Sequence, residues 1–280
     1  MIFNFIVWNF DPVFLKIGSF SIRWYSLMMA LGFYLGYIII KKMFISENVP
    51  LKTLESFGIY IVLGMFIGGR LGHCLFYEPE YYLKFPLDII KPWRGVLGQG
   101  AVFTGFEGMA SHGGIIGVLF GLIINSRNKK LPILWVLDRF AVVILLTGSF
   151  IRLGNLCNSE IIGIQTSVPW AFIFVKVSNI PKHPVQLYEA IVYLATFLLA
   201  YYYYIKNKDK IKNGELMGLV FLLVFISRFF FEFIKENQTP SDAISFLKMG
   251  QVLSIPFILV GAFLFLKNKI FLVSKKNENT

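Results

Sequence analysis

Among the charged side chains within or at the ends of long apolar stretches of this 280-residue sequence, four are candidates for function: Arg70, Arg152, Arg228 and Glu232. A charge at membrane depth is costly, so each of these residues is a functional candidate by default. Arg228 and Glu232 are four residues apart and share a helix face, so an internal ion pair is the alternative for them. For Arg70, a role in packing or topology is as reasonable as a functional one.

The best candidate for a general base is a histidine directly before an apolar stretch. His112 stands in the segment Ser111-His112-Gly113-Gly114, and Ser111 can cap a helix that begins there. The dipole at a helix start disfavours imidazolium, and a general base needs a neutral imidazole. Gly113 and Gly114 leave room for a ligand beside the backbone. The alternative is a structural histidine that bonds to a neighbouring loop, and the residues alone do not decide between the two.

A dense group of polar residues follows Arg152. It contains Asn155, Asn158 and Glu160, and Gly154 allows a tight turn between them. We interpret this group as a polar pocket at the outer membrane surface, the alternative being an ordinary polar loop. A second polar segment begins at His183. The next residue is a proline, which suits the first turn of a helix. The alternative interpretation of this segment is an interfacial cap.

Nothing in the sequence points to a metal or to another cofactor. The two cysteines, Cys74 and Cys157, show no CxxC spacing. His73 lies beside Cys74, but two neighbouring ligands do not form a structural zinc site, which needs four. We therefore expect neither a metal nor a cofactor.

The composition indicates a membrane protein. The sequence is 56% hydrophobic and only 15% charged, with a mean hydropathy of +0.66, whereas soluble domains carry about 25% charged residues. The net charge of +11 would suggest nucleic acid in a soluble protein. Here the basic residues lie in short loops between apolar stretches, so membrane topology explains them better and we expect no nucleic-acid partner.

Seven apolar stretches are long enough to span a membrane as helices, for which about 20 residues are needed. They are residues 21–40, 56–77, 111–126, 133–151, 185–204, 215–234 and 249–267. Glycines recur every four residues in the second and third stretches, which lets membrane helices approach closely. These glycines are Gly64, Gly68 and Gly72, and Gly113, Gly117 and Gly121. The sequence thus predicts an all-α integral membrane protein, a bundle of seven transmembrane helices.

The predicted organisation is a single membrane domain, residues 1–280, with a small extracytoplasmic head formed by residues 152–184. Lysine and arginine are densest in the short segments around residues 41–52, 127–130, 206–212 and 267–276. Such segments face the cytoplasm. With an odd number of spans, the N-terminus then lies outside and the C-terminus inside the cell.

Several segments, in this order along the chain, resemble the prolipoprotein diacylglyceryl transferases of bacteria. They are residues 11–13, 23–28, 68–72, 75–77, 111–117, 152–155 with Asn158 and Glu160, 183–184, 186–189, 228–229, 232–233, 249–251 and 253–256. Any one segment is a weak signal, whereas the ordered set is highly specific. Two positions depart from the family pattern: Val224, where relatives often carry tyrosine, and Lys235, where they often carry a second arginine.

The resemblance implies a transferase of the bacterial cytoplasmic (inner) membrane, a multi-pass protein among membrane lipids. Its reaction would move the diacylglyceryl group of phosphatidylglycerol to the lipobox cysteine in the signal peptide of a preprolipoprotein. A thioether forms and glycerol phosphate leaves, which is the first step of lipoprotein maturation. Because the nucleophilic thiol belongs to the substrate, Cys74 and Cys157 need not act.

The resemblance also implies roles for the candidate residues. The expected catalytic residues are His112, Arg152, Arg228 and Tyr25. His112 would take the proton of the substrate thiol, whose unperturbed pKa of about 8.5 disfavours the thiolate at neutral pH, and the two arginines would meet the departing phosphate. The expected substrate-binding residues are Arg152, Asn155, Glu160, Arg70, Glu232, Gly113 and Gly114.

Two other functions compete with this interpretation. A transporter or channel would use Arg152 and Arg228 to bind an anion in transit, but the sequence lacks the paired broken helices in two matching halves that inverted repeats show. A different lipid-modifying enzyme, such as an acyltransferase, would use the same arginines to bind phosphate.

Overall fold

The computed structural model describes residues 5–91, 93–94, 102–103, 108–237 and 246–277. This part of the chain forms eight α-helices, which account for most of it. They are α1 (Trp24–Ser46), α2 (Leu51–Phe76), α3 (Pro79–Lys84), α4 (Ser111–Asn128), α5 (Ile133–Asn158), α6 (Val185–Asn207), α7 (Glu215–Ile234) and α8 (Met249–Asn277). A 3₁₀ turn, Pro86–Ile89, follows α3.

Six of these helices are long and apolar enough to cross a membrane. They are α1, α2, α5, α6, α7 and the part Met249–Lys267 of α8. The chain is therefore a mostly helical, multi-pass membrane protein. Helix α4 occupies the third predicted stretch, but polar residues at both of its ends keep it out of this group. The predicted number of seven spans therefore stays a prediction.

Short strands, which the sequence did not predict, accompany the helices, and one of them includes residues 21–23 at the start of the first predicted stretch. One sheet has the order β1-β6-β7, in which β1 (Ile6–Trp8) runs parallel to β6 (Phe172–Phe174) and β7 (Pro181–Lys182) runs antiparallel to β6. Two antiparallel pairs join β2 (Val13–Ile17) to β3 (Phe20–Arg23), and β4 (Trp93–Arg94) to β5 (Val102–Phe103). Strands of two to five residues are too short to give a clear alternating pattern.

The chain divides into two compact units. The first comprises Met1–Met43 and Leu137–Thr280, and the second comprises Phe44–Val136. In the first unit a buried apolar cluster joins α1, α5, α6 and α7. It consists of Met43, Ala141, Val142, Leu145, Leu146, Phe197, Ala200, Tyr204, Leu216 and Val220. Hydrogen bonds add to this packing: the Thr147 hydroxyl donates to the Gly32 carbonyl over 3.1 Å, and the Ser149 hydroxyl donates to the Ala190 carbonyl over 2.8 Å. Such bonds and close packing hold helices together where lipid replaces water.

A buried carboxylate on α5 caps the start of α7. Asp138, which is fully buried, accepts hydrogen bonds from the backbone N–H groups of Gly214 and Met217, each over 2.8 Å. The first turn of a helix leaves such N–H groups without partners inside the helix. Asp138 therefore supplies from another helix what a capping side chain normally supplies locally.

Replacing Asp138 with alanine is expected to destabilise the first unit by about 3 kcal/mol, since each buried N–H group left without an acceptor costs about 1–3 kcal/mol. Thermal unfolding of the purified protein in detergent micelles measures this loss. Asp138→Asn keeps one acceptor oxygen and should lose about half as much. Asp209→Ala, at an exposed acidic residue after α6, is the control, and an equal midpoint for Asp138→Ala and the control would contradict the cap.

In the second unit, α2 and α4 touch through their backbones. A methyl group placed on Gly117 would lie 2.0 Å from the carbonyl oxygen of Gly64, and one placed on Gly68 would lie 2.3 Å from that of Gly113. The close approach predicted from the glycine spacing is therefore present. A hydrogen bond of 2.9 Å from the Ser56 hydroxyl to the Asn125 side-chain oxygen joins the same two helices.

Candidate active site

Arg152 lies in the last two turns of α5, which continues to Asn158. The turn predicted at Gly154 is wrong: Gly154 is helical, and it makes room for Tyr25. A methyl group on Gly154 would come within 2.8 Å of the Tyr25 ring. The helix continues past the apolar stretch because the polar side chains of its last turn find partners within the first unit. Tyr25, at the start of α1, is thereby packed against the helix that carries Arg152.

Three groups of the first unit surround the guanidinium of Arg152. Its Nε lies 2.9 Å from Oε2 of Glu189, in an ion pair with a fully buried carboxylate. Its Nη1 donates a long hydrogen bond of 3.4 Å to Oδ1 of Asn155, and its Cζ lies 6.0 Å from the centre of the Tyr193 ring. Glu189 and Tyr193 are one turn apart on α6, so that helix sets the direction in which Arg152 points.

The polar residues after Arg152 form a connected network. Nδ2 of Asn155 donates to Oε2 of Glu160 over 3.2 Å, and Nδ2 of Asn158 donates to Oε1 of Glu160 over 3.1 Å. The Gln186 amide donates to the Glu160 carbonyl. The structure thus brings Arg152, Asn155 and Glu160 together.

Glu232 does not pair with Arg228 in the described part of the chain. The carboxylate of Glu232, whose residue is 5% exposed, lies 3.4 Å from Nζ of Lys235. Nζ of Lys235 also lies 2.7 Å from Oε1 of Glu189. Lys235 thus bridges two carboxylates, and the internal ion pair considered as an alternative for Arg228 is absent among the described residues.

Arg228 is half-buried on α7. Within the part of the chain that the structure describes, it forms neither an ion pair nor a hydrogen bond with another side chain. An arginine within a membrane-spanning helix needs a counter-charge or polar partner.

Glu189 and Lys235 are the site residues that sequence reasoning missed. In the sequence, Glu189 falls within the segment 186–189 that resembles the family, and Lys235 is a departure from the family pattern. Glu189 meets the criterion by which the arginines were chosen as candidates, because it is a charged residue within an apolar helix. Their pairing with Arg152 could not be read from the sequence, because the three residues lie on α6, after α7 and on α5.

His183 is held by its neighbours in the first unit. Its Nδ1 lies 3.2 Å from the Tyr188 hydroxyl, which accepts a hydrogen bond of 2.9 Å from Nε1 of Trp170. Partial burial lowers the pKa of His183, which favours the neutral form of the ring. The His183 side chain does not cap α6, because Pro184 is the N-cap residue and no side chain bonds to that helix end.

His112 belongs to the second unit and is exposed at the start of α4. The expected cap by Ser111 is wrong: Ala110 is the N-cap residue, and no side chain caps this helix end. The imidazole of His112 stacks on Tyr77, with the ring centres 5.8 Å apart, and meets the edge of Phe76 at 5.7 Å. The ring is thus oriented by aromatic contacts and exposed to its surroundings.

The other candidates of the second unit have packing partners. Gly113 lies against α2, where a methyl group would be 2.4 Å from the Gly68 carbonyl oxygen, and Gly114 is buried near Met65. Arg70 donates from Nε to the Ile89 carbonyl and from Nη2 to the Asp88 carbonyl, each over 2.9 Å. These contacts favour the packing role considered for Arg70, which clamps the 3₁₀ turn to α2.

Comparison with known proteins gives one consistent result. The family profile described as prolipoprotein diacylglyceryl transferase matches residues 12–267. The phosphatidylglycerol–prolipoprotein diacylglyceryl transferase of Bacteroides fragilis is 43% identical over 258 residues, which cover 92% of this chain and 93% of that protein. The enzyme of the same name from Tolumonas auensis is 42% identical over 262 residues, 93% of this chain and 96% of its own. With matches over nearly its whole length, the chain belongs to the prolipoprotein diacylglyceryl transferase family.

Proposed function

We propose that this chain transfers the diacylglyceryl group of phosphatidylglycerol to the thiol of a lipobox cysteine in a preprolipoprotein signal peptide. Family membership over residues 12–267 gives the reaction class. The observation that carries the chemistry is Arg152, an arginine at the end of an apolar helix, held by Glu189 and Asn155. Arg228, which has no ion-pair or side-chain hydrogen-bond partner among the described residues, adds a second guanidinium in the same unit.

The reaction defines what the arginines must do. A substrate thiolate attacks the glyceryl carbon that bears the phosphate ester, a C–S bond forms, and the C–O bond breaks. The electron pair leaves with the phosphate oxygen, so a phosphodiester with one charge becomes a phosphomonoester with additional negative charge. Positive groups aimed at that oxygen stabilise the transition state more than the ground state. Arg152 and Arg228 are the proposed groups, and Tyr25, Asn155, Glu160 and Glu232 are proposed to orient the lipid and the arginines.

The thiol proton needs an acceptor, and we propose His112 for that role. What supports it is the residue itself: an exposed imidazole at a helix start, with its ring held by Tyr77 and Phe76. Gly113, Gly114 and Arg70 are proposed to shape the surroundings of the substrate from the second unit.

Replacing His112 with glutamine is expected to lower kcat about 10²-fold or more, the contribution of one general base. The loss should shrink as the pH rises towards the pKa of the substrate thiol, because the thiolate then forms without help. A pH series of transfer to a lipobox peptide measures this. His73→Gln, which changes the other histidine of the second unit, is the control. A variant at position 112 with full activity at every pH would remove the assignment.

We further propose that the chain works as a single membrane domain with seven spans, in which α4 also crosses the membrane in addition to the six long apolar helices. Residues 152–184 would form the head outside the bilayer, with the N-terminus outside and the C-terminus in the cytoplasm of a bacterial cell. The clustering of lysine and arginine in alternate loops supports this orientation. Single cysteines near the two termini, labelled in intact cells by a membrane-impermeant reagent, should react only at the N-terminal position.

The proposed function is tested with purified protein, phosphatidylglycerol vesicles and a lipobox peptide. Mass spectrometry of the peptide should show a diacylglyceryl addition on its cysteine. Phosphatidylglycerol labelled in its diacylglyceryl backbone separates this reaction from acyl transfer, since only diacylglyceryl transfer moves that backbone to the peptide. A folded protein that leaves the peptide unmodified with varied anionic lipids would overturn the proposal.

A further inference from the structure

Glu189 stands at the centre of a buried cluster of four charges in the first unit. Its residue is 0% exposed, and its two carboxylate oxygens face two different cations. Oε2 lies 2.9 Å from Nε of Arg152, and Oε1 lies 2.7 Å from Nζ of Lys235. Lys235 reaches Glu232 as well, over 3.4 Å. The cluster thus contains two cations and two carboxylates.

A buried carboxylate beside a catalytic arginine has two opposite effects. It fixes the guanidinium in one direction, which favours catalysis because misplacing a reacting group by about 1 Å can cost about 10²-fold in rate. It also cancels the positive charge that an anionic lipid would meet, since charges interact strongly where water is excluded. A second cation on the same carboxylate offsets this effect. Lys235 lies 2.7 Å from Glu189 and 3.4 Å from Glu232, so its charge acts more strongly on Glu189 than on Glu232.

We propose that Glu189 is a positioning residue for Arg152 and that Lys235 neutralises the Glu189 carboxylate. The carboxylate then does not weaken the attraction between Arg152 and the lipid phosphate. This inference rests on the proposed transfer reaction. Nε of Arg152 lies at ion-pair distance from Glu189, and Nη1 donates to Asn155. Among the described residues Nη2 has no such partner, so we assign it to a phosphate oxygen.

The positions of Glu189 and Lys235 are fixed from several sides. Ser149 of α5 is bonded to the carbonyl of Ala190, next to Glu189 on α6. Lys235 follows the last residue of α7, and its backbone pairs with Gly163. Its carbonyl accepts a hydrogen bond of 2.5 Å from Nζ of Lys248. Both charged groups are therefore held in place before any ligand arrives.

Glu189 is expected to affect kcat, and Lys235 is expected to affect KM. In Glu189→Gln, Arg152 loses its ionic partner but no positive charge, so kcat should fall about 10-fold or more while the KM for phosphatidylglycerol does not rise. In Lys235→Met, the Glu189 carboxylate weakens the attraction between Arg152 and the lipid phosphate, so the KM for phosphatidylglycerol should rise about 10-fold. Lys235→Arg keeps the charge and should retain the wild-type KM. The double variant Glu189→Gln/Lys235→Met removes both charges and should recover the wild-type KM while keeping the low kcat.

The experiment measures kcat and KM on vesicles with increasing phosphatidylglycerol, per amount of folded protein determined by gel filtration and thermal unfolding. Glu236→Gln is the matched control, since Glu236 pairs with Lys182 but is 43% exposed at its side chain, and it should leave both constants unchanged. A purely structural ion pair would lower only the folded amount. A wild-type kcat in Glu189→Gln, or a wild-type KM in Lys235→Met, would overturn the inference.

Two outcomes need their own interpretation. If Lys235→Met does not fold, the double variant, in which both charges are removed, is compared with Glu189→Gln to test the positioning role of Glu189. A wild-type kcat in the double variant would overturn that role. If the wild-type protein itself transfers nothing, the proposed function fails. That result differs from transfer by the wild type with unchanged constants in the variants, which leaves the proposed function intact and removes only this inference.

Discussion

Arg152→Ala is expected to lower kcat/KM for diacylglyceryl transfer by about 10²-fold or more, the loss typical of removing one group that stabilises developing charge. The guanidinium is only 14% exposed at its side chain and lies 2.9 Å from the Glu189 carboxylate. Its removal therefore eliminates the cation that is proposed to meet the departing phosphate. Transfer to a lipobox peptide, followed by mass spectrometry, measures the effect.

Two further variants sharpen the expectation for Arg152. Arg152→Lys keeps the charge but cannot contact Glu189, Asn155 and a phosphate at once, because an ammonium lacks the planar fork of a guanidinium. Its activity should lie between those of the wild type and Arg152→Ala. Arg127→Ala, at an exposed arginine at the end of α4, is the control and should stay fully active. Full activity in Arg152→Ala would keep the enzyme and discard this phosphate site.

The apolar stretches predicted the positions of the long helices but not where they end. The stretch 133–151 corresponds to α5, which continues to Asn158. Hydropathy marks only the part of a helix that needs lipid or a dry core. Asn155 and Asn158 extend the helix because Glu160 accepts hydrogen bonds from both side chains. That contact depends on a turn after the helix, which no count of apolar residues contains.

The candidate site was predictable to the extent that its residues carry an unusual charge in an apolar setting. Arg152 met that criterion, and the structure places Asn155 and Glu160 with it. Arg70 met it as well, but its guanidinium binds the backbone of the 3₁₀ turn. The sequence shows that such a charge needs partners, but it does not show which ones. The partners are set by tertiary packing, and this is why Glu189 and Lys235 emerged only from the structure.

Gly117→Ala is expected to destabilise the second unit by about 3 kcal/mol or more, at the upper end of what overpacking a well-packed interior costs. The added methyl group would lie 2.0 Å from the Gly64 carbonyl oxygen. Backbone atoms of a helix cannot rotate away as a flexible side chain can, so α2 and α4 would have to separate. Separation would weaken the contacts that small residues make possible between membrane helices. Thermal unfolding in detergent, monitored by circular dichroism, measures the loss.

Gly58→Ala provides the matched control for Gly117→Ala, because it also replaces a helical glycine with alanine, but in α2 and away from the contact with α4. No atom lies within 4 Å of a methyl group placed on Gly58. Alanine is favoured over glycine in a helix by about 1 kcal/mol, so Gly58→Ala should unfold at or slightly above the wild-type temperature. Since intrinsic propensity alone would make both variants more stable, an opposite sign at Gly117 isolates the cost of the helix contact. Equal behaviour of the two variants would show that α2 and α4 are not held at this distance in the folded protein.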